Sequence, residues 1–321
     1  MLCGGSGDHL SRLRELVMAV LVHVVLACAA IAPPPVRRAA AREPPPHSNN
    51  PFLSAQGSLG AQADARFRAW PQLNDDDIRR AVNAGRRHRL HLLDTSNDPQ
   101  VVDPTLALFE GDTLMSRFAI ELARRKALDR KEFFESCEFF ARVRSKLKAD
   151  DEAGTLIDVA GGHGLVGVLA ALFKHRDFSK IVVRDVKRPK AFDEVVAAAA
   201  AVAPWVEGMV TFQQEPVGPR GTPLPRGCAV ACVHGCNKLT DVIIAAAAEA
   251  DARSLALMPC CYAQTAANAP DCLRSALGVA LAADIQRTYT LEGLGYRVGW
   301  RAIPQSITPM NRILVANRPS H

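Results

Sequence analysis

From Thr155 onward, short apolar runs alternate with alanine-rich stretches of helical character. The runs predict strands near 156–160, 181–185, 209–213, 229–234, 254–259, 297–303 and 312–316, with helices between most of them. Strands separated by crossover helices pair in parallel, so the pattern predicts an α/β fold with a doubly wound sheet. The last two runs are separated only by PQSITPMN, which is too short for a crossover helix. They are therefore expected to close the sheet as an antiparallel hairpin.

Upstream, the pattern changes to helix. Asn74 is a plausible N-cap, and Asp75, Asp76 and Asp77 would face the positive end of the helix dipole. A second helical stretch is expected over 114–148, with Phe133, Phe140 and Val143 on one stripe and Arg142, Arg144, Lys146 and Lys148 mostly off it. The stripe suits packing against the sheet, so 67–150 is expected to be a helical extension and 151–321 the sheet domain.

The first 66 residues form neither pattern. An apolar run from Val17 to Ala32 follows Arg12 and Arg14 and ends in small residues, as in a secretory h-region with its cleavage site. It is too short to span a bilayer, and no stable membrane insertion is expected after processing. The Pro-, Ala-, Ser- and Arg-rich stretch that follows reads as unfolded and resembles a transit peptide. The pair resembles the bipartite presequences of algae with secondary plastids, which implies plastid delivery; secretion followed by a disordered linker is the plainer alternative.

Net charge adds little. The chain carries 39 basic and 33 acidic residues, a formal +6, which permits nucleic-acid binding without indicating it. Arg79, Arg80, Arg86, Arg87 and Arg89 cluster on the first predicted helix and could hold RNA phosphates, although such a run is more often a solvated face. Nine unevenly spaced cysteines do not read as a disulfide framework. Cys228, Cys232 and Cys236 recur every fourth residue, but on a strand each would stand about 13 Å from the next, too far for one metal ion. Cys236, Cys260 and Cys261 could converge across neighbouring strand ends; buried inert thiols are the default there, and no metal is expected.

The chemistry concentrates at strand ends. After the first strand comes Asp158-Val-Ala160-Gly161-Gly162-His163-Gly164, a turn into a helix where missing side chains let backbone approach a ligand. Gly162-x-Gly164-x-x-Gly167 matches the dinucleotide fingerprint, and Asp185 stands where a ribose-binding acid belongs, so a nicotinamide-dependent oxidoreductase fits these letters too. The fourth strand runs into His234-Gly-Cys236-Asn-Lys-Leu-Thr240-Asp241, and the fifth into Pro259-Cys260-Cys261-Tyr262.

The loop resembles that of class I S-adenosylmethionine-dependent methyltransferases, with Ala160 at the usual first glycine and Gly161 as the expected compensation. Asp158 inside the turn and the terminal hairpin favour this family over the oxidoreductases. The two later motifs resemble the H-x-C-G-x-x-T-D and P-C-C-Y pair of tRNA ribose 2′-O-methyltransferases and of the methyltransferase-like domain of glutathione S-transferase C-terminal domain-containing proteins, with Asn237 replacing the usual glycine. The resemblance implies a Rossmann-like sheet and S-adenosylmethionine as cofactor, held by Asp158, Ala160, Gly161, Gly162, Gly164 and Asp185. It implies His234 as a base, oriented by Thr240 or Asp241, with Cys236, Pro259, Cys260, Cys261 and Tyr262 on the substrate side. The acceptor could be RNA, a small molecule or a protein, and an inactive scaffold also fits. Tyr262, Tyr289, Tyr296 and Trp300 are the aromatics that could stack a base.

Overall fold

The computed structural model describes residues 66–76, 79, 89–90, 111–262 and 269–319. The apolar run at 17–32, the transit-like stretch, and Asp77, Arg80, Arg86 and Arg87 of the first predicted helix lie outside the described residues. Asn74 behaves as expected: its side-chain oxygen accepts the Asp76 N–H at 2.9 Å. Among the described residues, no helix is long and apolar enough to cross a membrane.

The stretch expected as one helix over 114–148 is two, α1 (Leu114–Arg125) and α2 (Arg130–Val143). Thr113 caps α1 by accepting the Ser116 N–H at 3.0 Å. Lys126 then takes a left-handed conformation, φ 50°, and its N–H closes back onto the last turn, so the chain reverses rather than continuing. Arg89 fastens this reversal from outside, donating to the Ala127 carbonyl at 2.9 Å and lying 3.6 Å from the Asp129 carboxylate.

The seven strands are β1 (Thr155–Val159), β2 (Lys180–Asp185), β3 (Val210–Gln214), β4 (Ala229–Cys232), β5 (Ser254–Leu257), β6 (Arg297–Ala302) and β7 (Arg312–Asn317). Their order is β3-β2-β1-β4-β5-β7-β6. The first five are parallel, and β7 enters antiparallel between β5 and β6, which gives the expected terminal hairpin. β4 and β5 each stop two residues earlier than the apolar runs suggest. Their last paired residues are Cys232 and Leu257, and Pro259 has no N–H with which to extend the ladder. The residues around His234 and Cys260 are thereby released into loops at the carboxyl edge.

Between the strands run α3 (Leu165–Phe173), α4 (Lys190–Val202), α5 (Lys238–Glu249), α6 (Asp271–Leu277) and α7 (Val279–Gly293). β1 is buried at every position, as a central parallel strand covered on both faces should be. One apolar cluster joins α2, α3 and one face of the sheet; a second fills the other face beneath α5. Phe133, Phe140 and Val143 are buried in the first cluster, as their spacing predicts.

Arg142 is not off that stripe. It is buried in contact with the equally buried Glu138 one turn earlier, so its charge is compensated inside the protein. Glu138 also accepts the N–H groups of Arg68 and Ala69 at 3.1 and 2.8 Å, and Arg142 donates to the Arg66 carbonyl at 2.9 Å. The pair thus ties the incoming chain to α2. Glu138→Ala should destabilise the protein by about 3–5 kcal/mol, because it strips a buried guanidinium of its carboxylate. Glu138→Gln, which keeps two acceptor lone pairs, should cost less; urea unfolding of both variants measures the difference.

Candidate active site

The loop after β1 is built around a buried acid. Asp158 is 1% exposed, and its carboxylate accepts the Gly167 N–H from α3 at 2.9 Å. A Cβ on Gly161 would lie 2.8 Å from that carboxyl carbon, so glycine is required there for close approach. Asp158 therefore shapes the loop from beneath and does not line the opening. Burial raises its pKa to about 7, with the Asp185 charge adding to the effect and the Gly167 bond opposing it.

Ala160 adopts φ 52°, the left-handed conformation that a glycine would take without strain. Gly161 does not relieve this, contrary to the sequence expectation, because its small size serves the close packing over Asp158. Gly162, at φ 51°, has no heavy atom within 4 Å of where a Cβ would stand, and its N–H donates to Asp185 at 3.0 Å. Gly164 caps α3. The glycine loop and the carboxylate at the end of β2 are thus one unit, as the sequence implies.

Beside that unit opens a cleft of about 290 Å³ whose walls include Ala160, Asp185, Val186, Val217, Leu239 and Val242. Val186 is 66% exposed at its edge. Sequence reading missed these four apolar residues, since isolated valines and leucines in loops and first turns form no periodic pattern.

A second centre forms where β4 ends. His234 Nε2 lies 3.9 Å from Glu135 Oε2 of α2, and both atoms are buried without a hydrogen-bond partner. Glu135 is 1% exposed, and its other oxygen takes Lys131 Nζ at 2.5 Å. Burial pushes the His234 pKa below its ordinary value while Glu135 pulls it back up. His163 approaches from the glycine loop: its Nδ1 accepts the Leu165 N–H at 3.2 Å, and its Nε2 lies 3.9 Å from Glu132. Burial, then the neighbouring His234, lowers its pKa to about 4. Two neutral imidazoles therefore face two carboxylates of α2.

Thr240 and Asp241 do not orient His234. Thr240 is buried and donates to the Gly235 carbonyl, while Asp241 accepts from Arg287 at 2.8 and 3.4 Å. Both hold α5 and its preceding loop, and the acid facing the histidine is Glu135. Its signal in the sequence was hidden inside a helix that reads as packing.

The fifth-strand motif lands beside this loop. Cys236 Sγ is 2.7 Å from Cys260 Sγ, and Cys260 Sγ is 3.7 Å from Cys261 Sγ. Cys228 and Cys232 are buried elsewhere, in the core around β4. Pro259 is buried, and the Tyr262 hydroxyl donates to the buried Asp284, which also meets Arg312 at 2.8 Å. That network withdraws Tyr262 from base stacking. Tyr296 is buried and Trp300 donates to Thr288, whereas Tyr289 is 67% exposed.

The buried acid carries a testable consequence. In the folded chain Asp158 keeps its proton up to about pH 7, whereas its ordinary pKa is 3.8. Folding therefore takes up a proton in that window, and stability falls as pH rises from about 4 to 7. Asp158→Asn lacks this loss. Its melting temperature relative to the parent protein should climb between pH 4 and 7 and then level off, the total being on the order of 4 kcal/mol at most. A difference that stays constant with pH would show that the carboxyl is ionised throughout.

Residues 130–268 match the family model described as a methyltransferase domain, a stretch that begins on α2 and includes the glycine loop, Asp185, His234 and the cysteine loops. No match was found among curated proteins. Among solved structures, a chain of a fibrillarin/Nop5p complex is similar at 8% identity over 51% of this chain and 72% of that one, with a TM-score of 0.36. The 16S rRNA (adenine(1408)-N(1))-methyltransferase from Catenulisporales acidiphilia is similar at 14% identity over 58% and 94%, with a TM-score of 0.33. The 16S rRNA methyltransferase KamB is similar at 16% identity over 56% and 93%, also with a TM-score of 0.33. Residues 130–268 are thus similar to a methyltransferase domain, and the strand order β3-β2-β1-β4-β5-β7-β6 is that of a Rossmann-like α/β sheet.

Proposed function

We propose that this domain binds S-adenosylmethionine across the glycine loop and the valine-lined cleft, and methylates a ribose hydroxyl of RNA. The observation that carries the donor half is the union of three features at one strand edge: the open face of Gly162, the Asp185 carboxylate and the apolar cleft. Two carboxylate oxygens suit a vicinal diol, and apolar walls suit a flat heterocycle. The residues present therefore fit a nucleoside-bearing cofactor. When bound, S-adenosylmethionine supplies a methyl group activated on a cationic sulfur.

The chain's own residues then have two tasks. Asp185 and the loop N–H groups fix the donor, so that the acceptor can align in line with the methyl group. His234 accepts the proton of the acceptor hydroxyl; burial keeps it neutral and ready to do so. Glu135, 3.9 Å away, stabilises the imidazolium that results. RNA is favoured as acceptor by the likeness of the His234, Cys236, Thr240, Asp241 and Pro259–Tyr262 motifs to ribose-methylating enzymes. Arg79 and Arg89 contribute less than their clustering suggests, since Asp76 and Asp129 already lie beside them at 3.0 and 3.6 Å.

Calorimetry should show S-adenosylmethionine binding to the parent protein and at least tenfold weaker binding to Asp185→Ala; binding of NAD(H) alone would sink the donor assignment. Transfer of labelled methyl groups, offered in parallel to RNA, metabolites and protein, should mark RNA. Label confined to another class would overturn the acceptor, and no label anywhere would favour a scaffold.

Glu135→Gln should lower kcat by about 10²-fold. Because Glu135 raises the His234 pKa, its removal should also move the acid limb of the rate profile to lower pH. An unmoved limb would mean that Glu135 does not act through His234.

A further inference from the structure

β4 and β5 are parallel neighbours, so the loops leaving them emerge side by side at the carboxyl edge. The first carries Cys236 and the second Cys260 and Cys261, and their three sulfur atoms lie within 4.8 Å of one another. Backbone joins the loops where Asn237 N–H donates to the Cys261 carbonyl at 3.1 Å, and within the first loop Cys236 N–H donates to the His234 carbonyl at 2.8 Å. The grouping is therefore fixed by main chain rather than by weak contacts between thiols.

We propose that Cys236, Cys260 and Cys261 form a binding site for a thiophilic divalent cation of the zinc class, with three thiolate ligands and a fourth position open to solvent. The site stands independently of the methyl-donor and acceptor reading. Zinc–sulfur bonds of about 2.3 Å at tetrahedral angles set sulfur atoms roughly 3.8 Å apart. Cys260 and Cys261 already stand at 3.7 Å. Cys236 and Cys260, at 2.7 Å, must part by roughly 1 Å to reach that tetrahedral spacing. Neither side chain is fully buried, which leaves room for that rotation.

Exposure decides the character of the site. Cys236 and Cys260 are partly buried and Cys261 is exposed, so the ion would meet protein on three sides and water on the fourth. Three protein ligands with one open position distinguish exchangeable or reactive zinc from closed structural sites. Each thiol gives up its proton on binding, so one divalent cation and three thiolates leave a net charge of −1 and release three protons. Arg287 braces the loop beside the site, its guanidinium donating to the Asn237 carbonyl at 3.0 Å, one residue from Cys236. A bound ion would clamp the loop that presents His234 to the loop that ends in Tyr262.

The test uses the full chain, purified reduced and stripped of metal. Titration with cobalt(II) should give a thiolate-to-cobalt charge-transfer band saturating at one equivalent, and zinc(II) should displace it. Cys236→Ser, Cys260→Ser and Cys261→Ser should each weaken binding at least tenfold, whereas Cys272→Ser, an exposed thiol outside the cluster, should not. Cys261→Ser guards against misfolding, because its side chain is exposed, and the charge-transfer band of the parent protein reads the ligands directly. The proposal fails if no band appears, if the band survives all three substitutions, or if reduced protein takes up no metal while air oxidation links Cys236 to Cys260.

Discussion

A parallel sheet whose crossovers leave its first strand in both directions must open a crevice where they part, and every functional feature of this protein follows from that constraint. Here the parting lies between β1 and β4, which are paired neighbours although β2 and β3 intervene in the chain. The backbone beyond β1 turns over the sheet as the glycine loop, while the backbone beyond β4 carries His234 away from the ladder. What the topology leaves as a gap, the side chains convert into two compartments: an apolar cleft toward β2 and β3, and a polar centre toward α2.

The polar centre is electrostatically expensive, and its parts compensate one another. Burial disfavours the charged form of both His163 and His234. Glu135 beside His234 opposes that tendency at the histidine, and Lys131 meets the other Glu135 oxygen from the solvent side. Ala160 stores a different kind of tension: a non-glycine residue held at φ 52° by its N–H bond to the Arg184 carbonyl at 2.8 Å.

Much of this was legible from sequence because strands buried on both faces read as apolar runs, and β1, β4 and β5 are buried at every position, whereas β3, VTFQQ at the sheet edge, is not. The hairpin followed from the shortness of its connection. The glycine loop and Asp185 could be read because backbone approach to a ligand restricts residue type. Thr240 and Asp241 were misread as partners of His234 because proximity in the chain stood in for proximity in space. Glu135 was overlooked for the converse reason: it stands about one hundred residues from the histidine that it faces, inside a helix whose phenylalanines announce only packing. Arg142 deceived in the same way, since a charge on a helix signals solvent unless its partner, here Glu138, is buried with it.

The double duty of α2 bears on how such a protein can change over generations. Phe133, Phe134, Phe139 and Phe140 root the helix in the core, and Glu132 and Glu135 project from the same turns toward the histidines. A substitution that repacks the phenylalanines shifts the carboxylates with them, so folding and chemistry are inherited together through one rigid rod. The walls of the cleft come from other elements, β1, β2, the loop after β3 and α5, so a change in the phenylalanine packing would be felt at His163 and His234 and not there.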